Sequence, residues 1–128
     1  MKKHIPLALL AMTLLASTAA SADDGDWKRG RLYYRSVCTS CHVKDAGGSI
    51  APTTMTKAQW AAYLKADKHA KGKDSVKQYV SQAYRNSIAG SNKLVAKMLD
   101  VSDADLMNDI NAFVQKGAKD GDAPASCN

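Results

Sequence analysis

Apolar residues recur along much of the chain at intervals of three and four positions, which is the spacing of one face of an α-helix. The pattern is clearest near the C-terminus, where one face carries Leu106, Ile110, Phe113 and Val114. It predicts a last helix that begins after Ser102 and ends at Lys116. Further helices are predicted over residues 27–37, 57–66 and 74–87, with a short helical turn over residues 94–99. No segment alternates with the period of a β-strand, so the sequence predicts an all-α fold of four or five short helices.

Residues that favour helix ends stand at most of these predicted boundaries. Short polar side chains can accept a hydrogen bond from the first turn of a helix. The predicted N-caps are Asp24 or Asp26, Thr56, Asp74 and Ser102. Gly117 stands where a C-terminal glycine cap belongs. Gly30 lies inside the first predicted helix, where glycine costs about 1 kcal/mol relative to alanine, so we expect it to permit a close helix crossing.

The N-terminal stretch differs from the rest of the chain. Lys2 and Lys3 precede a short apolar run over residues 5–16, and Ala20-Ser21-Ala22 forms a cleavage site of small residues. This order is typical of a secretory signal peptide over residues 1–22. The apolar run is short for a membrane-spanning helix, and an uncleaved membrane anchor is the alternative.

The chain that follows the signal peptide is long enough for one small domain. We expect this domain over residues 23–117 and a mobile polar tail over residues 118–128. The whole chain carries 18 basic and 12 acidic side chains, a net charge of +6. A basic surface favours acidic partners, and export argues against a nucleic-acid partner.

One short motif carries the chemistry of the chain: Cys38-Thr39-Ser40-Cys41-His42. The order Cys-x-x-Cys-His is the attachment signature of a c-type haem. Two thiols about one helical turn apart can each form a thioether with one porphyrin, and the histidine can bind the iron. Covalent attachment takes place outside the bacterial inner membrane, which agrees with the signal peptide. The motif predicts one covalent haem c in a periplasmic protein, bound through Cys38 and Cys41 with His42 as the proximal ligand.

Three other uses of a Cys-x-x-Cys pair are weaker. A zinc knuckle needs a second close pair of ligands, and the chain offers only His4, His69 and Cys127 at unrelated spacings. A thioredoxin-like dithiol needs a strand before the motif, and no strand-rich segment precedes it. A structural disulfide is the third alternative. Once the motif holds haem, Cys127 is an odd thiol with no internal partner.

The residues around the motif resemble those of class I cytochromes c. In that family a glycine and an aromatic residue lie eight and four positions before the first haem cysteine, as Gly30 and Tyr34 do here. The last helix of the family crosses at this glycine with an aliphatic and an aromatic residue, which Ile110 and Phe113 match. The other matching residues are Pro52, Met98 and Ser102-Asp103-Ala104-Asp105. The resemblance covers residues 27–117, of which residues 56–90 match only in helical character, and implies a cytochrome c fold around one haem.

The resemblance favours Met98 as the distal ligand of the iron, because it lies shortly before the last helix. A thioether ligand stabilises ferrous iron and raises the reduction potential. Leu99 follows Met98, where the family often has proline, and methionine equally suits a core position. The alternative distal ligands are His69, which would lower the potential, and Met55 or Met107. An open sixth position is the remaining alternative.

Further residues are candidates to contact the haem or a partner. Pro52 is expected on the proximal side of the haem. Trp60 is expected to donate its indole N–H to a propionate, and Tyr79 with Tyr84 to form a wall. A basic cluster consists of Lys57, Lys65, Lys68, Lys71, Lys73 and Lys77. It is either an ordinary solvated surface or a surface for an acidic or membrane-bound redox partner.

These observations predict an electron carrier rather than an enzyme. One covalent haem would exchange single electrons with redox partner proteins, and the sequence shows no Ser/His/Asp arrangement or carboxylate pair for catalysis. The alternatives are a haem-based sensor or ligand-binding protein with an open or bis-histidine distal site, and a haem subunit of a larger oxidoreductase. We expect a monomer without a membrane anchor after signal cleavage.

Overall fold

The computed structural model describes residues 24–44, 48, 50–70 and 72–125. The predicted signal peptide and Cys127 lie outside the described residues. The described part of the chain is all-α and contains no strand, which confirms the predicted fold class. Its α-helices are α1 (Trp27–Tyr33), α2 (Ser40–Lys44), α3 (Lys57–Ala66), α4 (Val76–Val80), α5 (Gln82–Ile88), α6 (Lys93–Ala96) and α7 (Asp103–Gly117).

The first helical region is longer than predicted. Asp26 caps α1, because its carboxylate accepts hydrogen bonds from two backbone N–H groups of the first turn. The region does not end near Val37 but continues through a π-helical segment, Tyr34–Thr39, into α2. The sequence contains neither proline nor glycine between Gly30 and Gly47 that would stop it.

The helix α1 crosses α7 at Gly30, as the sequence predicts. A methyl group at this position would collide with the backbone of Asp109 and Ile110, so only glycine allows such a close approach. Beside the crossing, the rings of Tyr34 and Phe113 meet edge to face with their centroids 5.3 Å apart. The crossing joins the two ends of the described chain and forms the centre of the core.

A buried carboxylate also joins these two helices. Asp109 of α7 is only 1 % exposed. It accepts a hydrogen bond from the backbone N–H of Asp26 at 2.6 Å and another from the guanidinium of Arg29. The hydrogen bond to Asp109 raises the pKa of Arg29 above its ordinary value. Because a buried carboxylate is stable only with such partners, the pair fixes how α1 lies on α7.

The predicted C-terminal helix is confirmed, with an end one residue later than expected. The hydroxyl of Ser102 caps α7 by accepting a hydrogen bond from the Asp105 N–H at 3.1 Å. The buried face is formed by Leu106, Ile110, Phe113 and Val114, as predicted. Gly117 is the last residue of the helix and Ala118 is the C-cap, so the predicted glycine cap is wrong. Gly117 instead packs closely against the ring of Pro52.

The third predicted helix is split into α4 and α5. The predicted N-cap, Asp74, is wrong because the hydroxyl of Ser75 accepts the hydrogen bond from the first turn of α4. At Ser81 the backbone becomes extended, with ψ of 150°, and its hydroxyl accepts a hydrogen bond from the Tyr84 N–H at 3.2 Å. A serine side chain thus replaces the backbone acceptor that a continuous helix would supply.

The segment after α7 packs against the domain, contrary to the predicted mobile tail. Ala118 is fully buried, and the N–H of Lys119 donates to the Met55 carbonyl at 3.0 Å. The N–H of Ala125 donates to the Gly117 carbonyl at 3.1 Å. The packed domain therefore extends beyond residue 117, because these backbone bonds fold the segment back onto it.

Candidate functional site

A cavity of about 330 Å³ lies beside the Cys-x-x-Cys-His motif. Its wall is mostly apolar and comes from the π-helical segment, α2, α3, α4, α5, α7, the segment between α2 and α3, and the loop before α4. The aromatic residues of the wall are Tyr34, Trp60, Tyr63, Tyr79 and Tyr84. Cavities of this size and polarity are typical of cofactor and small-molecule sites. Cys38, Cys41 and His42 all line the cavity, so the structure brings the three motif residues to one apolar site.

The π-helical segment determines how the motif meets the cavity. Cys38 lies within this segment and is half-buried, whereas Cys41 lies in α2 and is exposed. Inside the segment, the Ser36 carbonyl accepts a hydrogen bond from the side-chain amide of Asn92 at 3.2 Å. This bond joins the π-helical segment to the residue that caps α6. Single π-helical turns occur frequently at functional sites, where they change the direction in which side chains project.

Two histidines face each other at the cavity. His42 is 9 % exposed, and its Nε2 lies 3.5 Å from Nε2 of His69. The ring centroids are 5.7 Å apart and the ring planes differ by 63°. Because the centroids are farther apart than the nitrogens, the rings point at each other end to end and do not stack. The nitrogen separation exceeds the range of about 2.7–3.2 Å for an ordinary hydrogen bond.

His69 lies in the loop between α3 and α4. The loop begins at Asp67, whose backbone is left-handed with φ of 52° and whose carboxylate accepts the Lys77 N–H at 2.8 Å. The ring of His69 meets Tyr79 edge to face with the centroids 5.1 Å apart. Gly72 lies so close to Nδ1 of His69 that a side chain there would collide with it. This Nδ1 is buried and has no hydrogen-bond partner within the described part of the chain.

The structure does not bring Met98 to the cavity. Met98 is 5 % exposed within the hydrophobic core, and its backbone carbonyl accepts a hydrogen bond from the guanidinium of Arg85. It does not line the cavity, and neither does Met107, which packs against the core. Of the predicted distal candidates, His69 and Met55 reach the cavity wall.

Trp60 and Tyr79 line the cavity, but the polar end of Trp60 points away from it. The indole N–H of Trp60 donates to the Pro52 carbonyl at 2.7 Å in a buried position. This bond uses the donor that a propionate contact would need, so the structure does not support that contact. Pro52 is itself buried, and it does not line the cavity. The hydroxyl of Tyr34 donates to the Ile50 carbonyl at 2.6 Å, so both rings anchor the same loop.

Replacing Trp60 by phenylalanine is expected to lower the free energy of unfolding by about 1–3 kcal/mol, because the buried Pro52 carbonyl loses its short bond to the indole and keeps only the Met55 N–H at 3.5 Å. The measurement is urea denaturation followed by far-UV circular dichroism. The matched control is Trp27→Phe on the exposed side of α1, which is expected to change stability by less than about 0.5 kcal/mol. Equal losses in the two variants would contradict the assigned role of the indole N–H.

Two tyrosines of the cavity wall have perturbed phenol groups. Burial raises the pKa of both Tyr63 and Tyr84 above the ordinary value of a phenol. These phenols therefore stay neutral throughout the physiological pH range. A mostly apolar wall with neutral phenols suits a flat aromatic ligand.

Tyr63 and Gly72 contribute to the site, although the sequence pattern does not assign them to it. Tyr63 follows Trp60 by three positions, which places both on one face of α3, and both line the cavity. This helical spacing was the available signal for Tyr63. Gly72 acts through its lack of a side chain beside His69, and the sequence offers no local signal for such a contact between loop residues.

The geometry also bears on the other uses of the two cysteines. No three His, Cys, Asp or Glu side chains of the described residues lie close enough together to hold a metal ion. A zinc knuckle therefore gains no support. The structure does not join Cys38 and Cys41 in a disulfide.

Comparisons with protein families, with curated proteins and with solved structures found no match to this chain. A search of the helices in the described residues for one long and apolar enough to cross a bilayer found none.

Proposed function

We propose that the protein is a single-electron carrier that binds one haem c through thioether bonds to Cys38 and Cys41. In this proposal His42 is the proximal ligand of the iron. The observation that carries it is the presence of all three motif residues on the wall of one apolar cavity. The haem would supply an iron that changes between the ferrous and ferric states.

The residues of the cavity fit this group. Aromatic and aliphatic side chains suit a porphyrin, and two thiols and an imidazole are the donors that covalent attachment requires. The porphyrin itself supplies most ligands of the iron, so no larger cluster of protein donors is needed. Cys41 is exposed and Cys38 is half-buried, so a group bonded to both would reach the surface on the Cys41 side. An exposed edge of the haem would give electrons a short route between the iron and a partner protein.

The arrangement of α1 and α7 supports a cytochrome c fold in particular. Gly30 stands eight positions before Cys38 and lies against the α7 backbone at Ile110. Tyr34 stands four positions before Cys38 and contacts Phe113. These are the contacts that the resemblance to class I cytochromes c implies. We therefore include the cytochrome c fold in the proposal.

The proposal places the protein in the periplasm, with acidic or membrane-bound redox proteins as partners and a monomeric state. The predicted signal peptide supports this location. Among the described lysines of the basic cluster, four are exposed: Lys65, Lys68, Lys73 and Lys77. Exposed charges of one sign steer encounters with an oppositely charged partner, so the association rate should fall with ionic strength.

The test is to express the full chain together with a cytochrome c maturation system and to measure haem attachment. The wild-type protein is expected to gain the mass of one haem and to keep it after acid–acetone extraction. The double variant Cys38→Ser/Cys41→Ser is expected to lose all of the covalently bound haem, because no thiol of the motif remains.

Cys127→Ser is the matched control, since it removes a thiol outside the motif and is expected to retain the full haem content. A wild-type chain without covalent haem would overturn the proposal. Retention of covalent haem by the double variant would also overturn it, because attachment would then not use the motif.

A further inference from the structure

We propose that His69 is the distal ligand of the iron, which is then held between the imidazoles of His42 and His69. This inference rests on the proposed haem and adds the identity of its second axial ligand. It departs from the methionine ligation that the resemblance implies. The observation that carries it is the end-to-end placement of the two rings at the cavity.

The separation of the two nitrogens lies between the distance of a direct hydrogen bond and that of two nitrogens on one metal ion. The two Nε2 atoms are 3.5 Å apart. Two imidazoles on opposite sides of one metal ion have their nitrogens about 4 Å apart, which is twice a metal–nitrogen bond of about 2 Å. A direct hydrogen bond would bring them to about 2.9 Å. A small outward movement of the loop that carries His69 would complete the coordination.

The second nitrogen of His69 also favours a functional role. Nδ1 is buried and lacks a hydrogen-bond partner among the described residues, and leaving such a group unpaired is a cost to the folded state. A purely structural histidine would be satisfied or exposed, so the cost indicates that another interaction offsets it. Coordination through Nε2 provides this interaction, because with the proton on Nδ1 the lone pair of Nε2 is directed toward His42.

Contacts around the ring hold His69 in this orientation. Gly72 lies against the Nδ1 side and Tyr79 packs against the ring at 5.1 Å between centroids. Asp67 ties the start of the loop to α4 through the Lys77 N–H. Rotation of the ring would bring Nδ1 toward the cavity and break this packing. The contacts therefore present Nε2, the nitrogen that a ligand role requires.

The methionine alternatives are less well placed. Met98 is a core residue whose backbone is held by Arg85 and which does not reach the cavity. Met55 does line the cavity, but the atom that faces Nε2 of His42 belongs to His69. Met55 is therefore the rival that an experiment must exclude.

Histidine on both faces of the iron has two consequences. Two imidazoles give a lower reduction potential than one imidazole and one thioether, so the redox partners should also have low potentials. A filled sixth position also leaves no open site for small ligands. Bis-histidine ligation therefore supports electron transfer over ligand sensing as the role of this haem.

The test compares the axial ligation of the haem-loaded full chain with that of His69 variants. The oxidised wild-type protein is expected to give a low-spin, six-coordinate spectrum without the charge-transfer band of a methionine–iron bond. His69→Ala is expected to lose the six-coordinate spectrum and, after reduction, to bind carbon monoxide rapidly, whereas the wild type does not. Added imidazole is expected to restore the six-coordinate spectrum of this variant, and His69→Met is expected to raise the reduction potential.

The control variants are Met55→Ala and Met98→Ala, which are expected to keep the wild-type axial spectrum. A methionine–iron band in the wild type, or an unchanged six-coordinate spectrum in His69→Ala, would overturn the assignment. Mass spectrometry of each sample separates this result from the proposed function. A His69→Ala protein that carries covalent haem but keeps the wild-type spectrum contradicts only the distal ligand, whereas a wild-type chain without haem contradicts both.

Discussion

Replacing Gly30 by alanine is expected to lower the free energy of unfolding by about 3 kcal/mol or more, the upper end of what overpacking costs in a core. The added methyl group would collide with the backbone of Asp109 in α7. Main-chain atoms of a helix cannot rotate away as a side chain can, so the two helices must separate. Alanine gains about 1 kcal/mol of helix propensity over glycine, which is too little to offset this separation. The measurement is the urea midpoint of the haem-loaded protein by far-UV circular dichroism.

Gly90→Ala is the matched control for this prediction. Gly90 is exposed, and a Cβ built there has no neighbour within 4 Å. We expect this control to leave stability unchanged or to raise it by about 0.4–1 kcal/mol, because alanine reduces the freedom of the unfolded chain. Equal urea midpoints for Gly30→Ala and Gly90→Ala would contradict a close helix crossing at Gly30.

Features of the fold that depend on residues within one segment can be predicted well from the sequence. The helix α7, its cap at Ser102 and its buried face follow from helical spacing within one segment. Gly30 is predictable because a glycine inside a helix needs a reason, and a close crossing is the usual one. The break at Ser81 is harder to predict, because a serine is compatible both with a helix interior and with an N-cap.

Other features depend on contacts between distant segments, which no local pattern encodes. The packed segment after α7 consists of small and polar residues that favour a mobile tail by composition. It is held by backbone hydrogen bonds, such as Lys119 N–H to the Met55 carbonyl, that any sequence could form. Asp109 likewise occupies a buried position on α7 because Arg29 and the Asp26 N–H face it across the crossing.

The candidate site also combines residues that a local motif predicts with one residue that only long-range folding brings there. Cys38, Cys41 and His42 are adjacent in sequence, so their shared location is predictable from the motif alone. His69 is 27 residues away and lies among lysines, so its sequence surroundings favour an exposed histidine. Only the folded chain brings it opposite His42. The position of Met98 shortly before the last helix favours a ligand role, but in the folded chain Met98 belongs to the hydrophobic core.

Arg85 shows how a charged residue can organise this core. It is fully buried, although a sequence pattern would assign arginine to the surface. Its Nε donates to the Val80 carbonyl at 3.0 Å, and its guanidinium also donates to the Met98 carbonyl. A third hydrogen bond, of 2.6 Å, reaches the carboxylate of Asp103 at the start of α7. One side chain thus joins the end of α4, the turn after α6 and the first turn of α7.

Replacing Arg85 by methionine is therefore expected to lower the free energy of unfolding by about 3–5 kcal/mol. Methionine fills much of the same volume, but it removes the Arg85 donor from the Val80 carbonyl and leaves the Met98 carbonyl with the Val101 N–H alone. Apolar replacement of a buried ion pair can be harmless when both partners are removed, but main-chain carbonyls cannot be removed. Urea denaturation of the haem-loaded protein measures the loss.

Two further variants make this expectation specific to the hydrogen bonds of Arg85. Arg31→Met removes an exposed arginine from α1 and is expected to cost less than about 0.5 kcal/mol. Arg85→Lys keeps the charge, but one ammonium cannot reproduce the planar fork that serves three acceptors, so most of the loss should remain. If lysine restored the full stability of the wild type, charge alone would explain the role of Arg85. The assigned hydrogen bonds between α4, the turn after α6 and α7 would then not be what holds these elements together.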